Sequence, residues 1–409
     1  MANETNSFSL NRKTQFIAAA VNDNVPYIQA SRSYLKDKVE GKKCGLTYNF
    51  YFPDPGKAYA GTSEVDITND LKTVTEREVS CTLMNARTSI ELGTWERLTE
   101  IEDFVNEIAE PRGQTLGTEV EIDSIDRGWK VSDGAKVVAA ADLGMDDLAG
   151  IAADLKSIRS RGKFRGFADP AVFHSLGAKN LSLFLPNDIM REIYRSAFIG
   201  NYMDVDWVSE TYMPTLSITG AMTAAQVTAI GTDGISVTGT NLYAGMIFKL
   251  SGVDVKVTDL FGRKKNEDKV FIVDSVNGAG TAGKLSQKIV CSTGNASEAT
   301  AVQTNCNTYG TFSTICTTGL TGKTLLTATG DYTIIQARDA DALEWDTYKH
   351  PKLDGCTEST QRVGKITAQV AKWADVRTRQ QIVRVDIPYI SQMIDGRRSR
   401  VLVVKLPQE

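Results

Sequence analysis

The feature that most constrains this chain is an interruption. From about residue 218 to about 331 the sequence is rich in Gly, Thr, Ser and Val, and helical periodicity disappears; on both sides helices and strands alternate. Segments such as Ile235–Thr238, Met246–Leu250, Val253–Val257 and Lys269–Val273 read as strands set apart by glycines. A mixed pattern that stops, yields to an all-β stretch and then resumes predicts an α+β body carrying an inserted β-module, a small barrel or sandwich. With 409 residues there is enough chain for two or three cores.

Before the insertion, residues 1–44 read as an arm plus a first helix. Phe50 to Gly61 carries two prolines and two glycines beside aromatics, the composition of an extended loop. Residues 62–92 predict two alternating strands, with Glu78-Val79-Ser80-Cys81-Thr82-Leu83 apolar at every second position. Thr99 and Glu102 form a capping box ahead of a helical stripe of Ile101, Phe104, Val105 and Ile108, and Pro111 ends that helix or bends it into another reaching toward Asp126. A second stripe, Leu148, Ile151, Leu155 and Ile158, predicts a helix over 146–160. Asp169-Pro170 is a cap and first turn for a helix at 170–177, and a further helix is expected near 188–198. After the insertion, strands are expected at 332–336, 362–373 and 380–387, with a last apolar run Arg400–Leu406.

Several motifs invite chemistry. Gly278-Ala279-Gly280-Thr281-Ala282-Gly283 has dinucleotide-loop spacing, but the sequence after it, Leu285–Cys291, reads as a strand where a helix N-terminus is needed, so a hairpin loop is expected. Gly319 to Thr324 lacks the first glycine of a phosphate-cradling loop. Asp339, Asp341, Glu344 and Asp346 read as a solvated acidic face or a salt-bridge partner, with a divalent-cation site as the sharper alternative. His174, beside Phe173, reads as structural. With two histidines and six cysteines in no C-x-x-C pair, no metal or cofactor is expected, and no clustered Ser/His/Asp set supports an enzyme. The net charge of −4 disfavours a protein that grips nucleic acid by its phosphates. The polar N-terminus and short apolar run Phe16–Val21 suggest neither a signal peptide nor a membrane span.

Two segments read as contact-making. Asp259 to Lys269 places both signs of charge in one loop, either a solvent-facing hairpin or a self-complementary contact across a two-fold axis. The 45–75 loop is long and aromatic, and is expected to find its support on a partner.

Three stretches carry a family resemblance: Val74–Leu83 leading to Ile90-Glu91-Leu92 and the Ile101–Ile108 helix; Leu242–Val253; and Arg338-Asp339-Ala340 through Leu343, followed by Arg362–Ile366 and Arg384–Tyr389. In order and length the chain resembles the major capsid proteins of tailed phages, the Hong Kong ninety-seven fold, and more narrowly the coat proteins of short-tailed phages of the P-twenty-two type. It departs from that family at Gly245-Met246, where Gly-Asp is frequent.

The resemblance implies an N-terminal arm and first helix (1–44), an extended loop with flanking strands (45–92), a spine helix and peripheral domain (93–145), the first part of an axial domain (146–217), the inserted β-domain (218–331) and an axial and peripheral return (332–409). It implies pentamers and hexamers closing into an icosahedral shell, a scaffolding protein, a portal protein, and double-stranded DNA held by containment. The location implied is the virion capsid, assembled in the host cytoplasm away from membranes. Candidate contacts between copies are Arg12, Lys13, Tyr51, Lys57, Tyr59, Glu64, Asp66, Arg263, Lys264, Lys265, Glu267 and Asp268. Another phage structural protein, such as a tail tube or decoration protein, is the alternative, but the predicted helices argue against a tail tube.

Overall fold

The computed structural model describes residues 2–33, 47–53, 76–92, 110–160, 162–179, 200–218, 226–231, 234–239, 241–250, 256–260, 264–285, 308–309, 322–326, 328–350, 355–375 and 380–406. The chain divides into two units, one formed by residues 1–48, 80–127 and 343–392, the other by 49–79, 128–342 and 393–409. The α+β reading holds in the described residues. The predicted helix at 188–198 lies outside them, as does the helix at 99–110 up to residue 109; of the loop expected over 45–75, residues 47–53 form a strand and the rest lies outside the described residues.

In the first unit the 17-residue strand Glu76–Leu92 pairs antiparallel with Gln380–Met393, which pairs with Ile366–Asp375, which pairs with Thr357–Val363. Leu343–Thr347 also joins Gln380–Met393, and Thr47–Pro53 flanks Glu76–Leu92. Of the stretch 62–92, where two strands were expected, residues 76–92 form one strand and 62–75 lie outside the described residues. The expected single strand 362–373 is instead a hairpin. Gly364 turns at φ +57°, a left-handed conformation that a glycine adopts without strain, and a Cβ there would fall 2.4 Å from Asn22 Oδ1.

Against this sheet lie the helices Ala2–Asp23, Pro26–Gln29 and Glu110–Trp129. The last begins one residue before Pro111, where proline costs no internal hydrogen bond. Ile17, Val21, Val25, Ile28, Leu116 and Val120 meet Trp345, Ile366, Val370, Val385, Ile387 and Tyr389 in one core. Helix approach is close: a Cβ on Gly113 would lie 2.6 Å from Ala20 Cβ. The short Pro26–Gln29 helix has both ends satisfied by opposite charges. The Glu121 carboxylate accepts from Tyr27 and Ile28 N–H, at 2.5 and 3.3 Å, and Lys365 Nζ donates to Ile28, Gln29 and Ser31 carbonyls.

The second unit holds a seven-stranded sheet, ordered Gly134–Ala139, Ser399–Lys405, Gly330–Asp339, Phe164–Ala168, Val205–Ser209, Gly200–Tyr202, with Thr215–Ile218 also on Gly330–Asp339. Ser399–Lys405 runs parallel to Gly134–Ala139, and Phe164–Ala168 parallel to Val205–Ser209. The helices Met145–Ser157 and Pro170–Lys179 follow the predicted stripe and cap. Leu148, Ile151, Leu155 and Phe173 are buried with Trp207, Ile335 and Leu402, and Asp169 Oδ1 accepts Ala171 N–H at 2.8 Å.

The described residues within 226–324 form three small antiparallel sheets. Gln226–Gly231, Gly234–Thr238, Ala282–Leu285 and Ser275–Val276 make one; Phe271–Ile272, Ile247–Leu250 and Gly322–Thr324 the second; Lys264–Asp268, Lys256–Thr258 and Thr308–Tyr309 the third. Phe248 and Phe271 stack at 5.6 Å in the core among Ile247, Val257, Val270 and Ile272.

Candidate intersubunit site

The charged segment expected as one loop over 259–269 is, from Lys264 to Asp268, a strand, with Lys256 opposite Asp268 and Thr258 opposite Lys264. Charge alternation is itself compatible with an extended strand when each face has a partner of its own. On one face Asp268 stands between Lys249 (3.1 Å) and Lys256 (2.5 Å). The hydrogen bond from Lys256 holds its carboxyl below the ordinary range against burial, the next effect in size, and the hydrogen bond from Lys249 and the two ammonium charges add to the lowering.

On the other face Glu267 accepts from Arg400 Nη2 at 2.7 Å and Nε at 3.1 Å, and Arg400 is buried at 2% exposure. Burial pushes the Glu267 carboxyl up, outweighing the Arg400 guanidinium. Two residues on, Lys269 Nζ meets Asp133 Oδ1 at 2.6 Å. Nearby, Arg397 Nη1 donates to the Asp259 carbonyl at 2.9 Å, and its Nη2 pairs with Asp395 at 2.8 Å. The segment therefore roots the inserted module on the strand Ser399–Lys405 and the turn before Gly134, all within the second unit. It is not a free charged hairpin.

Glu267 and Asp268 are engaged internally, while Lys265 is partly exposed. Lys264 is placed in the strand, and Arg263 lies outside the described residues, as do Lys57, Tyr59, Glu64 and Asp66. Tyr51 sits in the strand Thr47–Pro53. Arg12 and Lys13 belong to the first unit, on its N-terminal helix. Arg12 is exposed with its guanidinium 5.7 Å from the centre of the half-exposed Phe16 ring, and Lys13 is partly buried. Asp133, Arg397 and Arg400 carry much of the root and drew no attention in the sequence. The one local sign was a charged residue opening the apolar run Val401–Val404.

The acidic cluster is not a solvated face. Asp339, Glu344 and Asp346 are buried, and only Asp341 is exposed. The four are also divided between the units, with Asp339 and Asp341 in the second and Glu344 and Asp346 in the first. Asp339 accepts from Ser160 Oγ and Asp341 N–H and lies 3.5 Å from Arg398; Asp346 accepts Thr347 N–H and lies 3.7 Å from Arg362. Among the described residues no group of three His, Cys, Asp or Glu is placed to hold a metal ion. His174 is exposed on its helix.

The 278–283 glycines form the hairpin the sequence suggested. Asn277 Oδ1 accepts Thr281 and Ala282 N–H at 2.9 and 3.1 Å, and Gly280 takes φ +63°. Lys323 lies in a strand opposite Lys249, so no helix N-terminus follows it to face a phosphate. Cys81 is buried and Cys356 partly buried; the other four cysteines lie outside the described residues. No described helix is long and apolar enough to cross a membrane.

No family model matches the chain, and no curated protein matches it. Among solved structures it is similar to the capsid of Ralstonia phage GP4, at 7% identity and TM-score 0.45 over 93% of this chain and 88% of that one. It is similar to the mature capsid of bacteriophage PhiM1, at 10% identity and TM-score 0.44 over 94% and 88%. It is also similar to a virus-like particle from Pyrococcus furiosus, at 9% identity and TM-score 0.42 over 96% and 99%.

Proposed function

We propose that the chain is a major capsid protein of a tailed phage, of the Hong Kong ninety-seven fold, a structural subunit and not an enzyme. The observation that carries the reading is the order of parts. A long strand (Glu76–Leu92) and a long helix (Glu110–Trp129) precede an α/β sheet that a β-module interrupts, and the chain then returns to both units. That is the order in which the three resembling stretches occur in the coat-protein family. The domain boundaries proposed from the resemblance stand with this reading, as do pentamers and hexamers in an icosahedral shell, a scaffolding protein, a portal, contained double-stranded DNA and assembly in the host cytoplasm.

The physics suits a shell. Long arms and loops add interface area without a larger core, and extended segments can pair with a neighbour's sheet edge. Charges at such contacts set register and reject wrong partners more than they add affinity. Because Glu267 and Asp268 are occupied within the chain, a contact between copies at this segment falls to Lys265 with Arg263 and Lys264. The other candidates are Arg12 and Lys13 on the arm and Tyr51, Lys57, Tyr59, Glu64 and Asp66 on the loop. A net charge of −4 fits DNA held by containment, without a clamp on its phosphates.

Sedimentation velocity of the full chain, alone and with a scaffolding partner, tests the reading. Discrete fast-sedimenting particles are expected; a monomer that persists in both arms contradicts it.

A further inference from the structure

Asp133 and Lys269 form a pair whose surroundings favour more than a salt bridge. Both side chains are buried, 2% and 0% exposed, with Nζ 2.6 Å from Oδ1. Among the described residues the other carboxyl oxygen, Oδ2, is buried and meets no hydrogen-bond partner. Backbone bonds brace the pair: Val270 N–H to the Asp133 carbonyl and Asp133 N–H to the Gly396 carbonyl, both 3.0 Å. A Cβ on Gly396 would lie 2.9 Å from Oδ1, so the carboxyl backs onto that residue and has little room to swing away. The Phe271 ring centre is 5.9 Å from Nζ.

Two opposite charges in so dry a site are costly, and moving one proton from Nζ to the carboxylate leaves a neutral amine beside a neutral acid. With Nζ 2.6 Å from Oδ1 and both backbones braced, the amine is held beside the carboxyl group, so the encounter that condensation needs is already made. Glu267 stands two residues before Lys269, hence on the same side of the extended segment. Its carboxyl lies against Gly134, the next residue after Asp133: a Cβ there would fall 2.0 Å from Glu267 Oε1. Burial favours the protonated form of this carboxyl, as a proton relay requires.

We propose that Lys269 and Asp133 condense into an isopeptide bond within the chain. The neutral Nζ attacks Asp133 Cγ, the Nζ–Cγ bond forms and the Cγ–Oδ2 bond breaks. Oδ2 leaves as water, carrying the acid's proton and one from the amine; Glu267 takes up the amine proton and passes one to the leaving oxygen, ending as it began. No oxidant or external group is consumed. The bond joins residues 136 apart and fastens the inserted module to the turn that leads into the seven-stranded sheet. It does not depend on the shell reading.

The test is the intact mass of the purified full chain, followed by tandem mass spectrometry of its peptides. The expected result is a chain lighter by one water, with a branched peptide joining Asp133 to Lys269. Asp133-Gly134 can also lose water alone, by cyclising on its own backbone, and Lys269→Arg separates the two. That variant returns to the full mass if the isopeptide forms and stays dehydrated if the ring is local. Asp133→Asn should still form the same bond, by loss of ammonia, and Glu267→Gln should leave a larger uncoupled fraction. Wild-type protein at its full sequence mass, or a dehydrated linear peptide at Asp133, overturns the proposal.

Discussion

In the seven-stranded sheet the strand Gly330–Asp339 is buried from residue 332 through 339, and its neighbour Ser399–Lys405 is buried from 399 through 404. In the inserted module the strand Lys264–Asp268 is charged at four of five positions, and what secures it is a set of ion pairs reaching Lys249, Lys256 and Arg400. The two regions belong to one unit, yet apolar side chains such as Ile334, Ile335, Leu402 and Val403 carry most of the burial in the first, and directional contacts secure the second. Burial tolerates a lost methyl group by partial collapse, whereas a buried ion pair that loses one member leaves the other charge stranded.

The contrast can be broken at its strongest point. Arg397→Met leaves the buried Asp395 carboxylate without its guanidinium, and should cost about 3–5 kcal/mol by urea unfolding. A loss below about 1 kcal/mol would remove the ionic half of the comparison. In the sheet, Leu402→Ala should cost about 2–5 kcal/mol, the lower part of that range applying if Ile335 and Trp207 close on the gap.

A sharper distinction lies in pH. Glu267 is faced by Arg400, which favours its charge, and by Asp133 and Asp154, which oppose it; burial dominates and raises its pKa. Its contribution is therefore fully present below the ordinary carboxylate value and is lost as pH rises through the raised one. Asp268 runs the other way. Its contribution is present above its ordinary value and is lost as pH falls through the lowered one. Between neutral pH and the ordinary carboxylate range, wild-type protein should gain stability relative to Glu267→Gln as the solution is acidified; a difference that does not change with pH would contradict the burial of that carboxyl. The smallest effect belongs to Lys265→Ala, within about 0.5 kcal/mol of wild type in the same unfolding assay, because the side chain is partly exposed.

The same contrast explains what could be read in advance. The stripe Leu148, Ile151, Leu155 and Ile158 and the cap Asp169 were visible because their partners are local or their periodicity is apolar. The turn at Gly364 was missed because the strand before it, Thr357–Val363, is polar in all but its last residue and gives no apolar signal. The root of the module was missed for a different reason. Glu267 meets Arg400 across 133 residues and Lys269 meets Asp133 across 136, and no window along the chain contains both partners. Glu267 and Asp268, which read as contact charges, are paired within the chain, and Asp339 and Asp346 read as surface acids although their partners, such as Ser160 and Arg362, lie elsewhere in the chain.

Electron microscopy of the expressed full chain, alone and with a scaffolding partner, tests the central claim most directly. The account predicts closed round particles whose surface resolves into five- and six-fold clusters of this chain. Fields of dispersed single molecules under both conditions would contradict it.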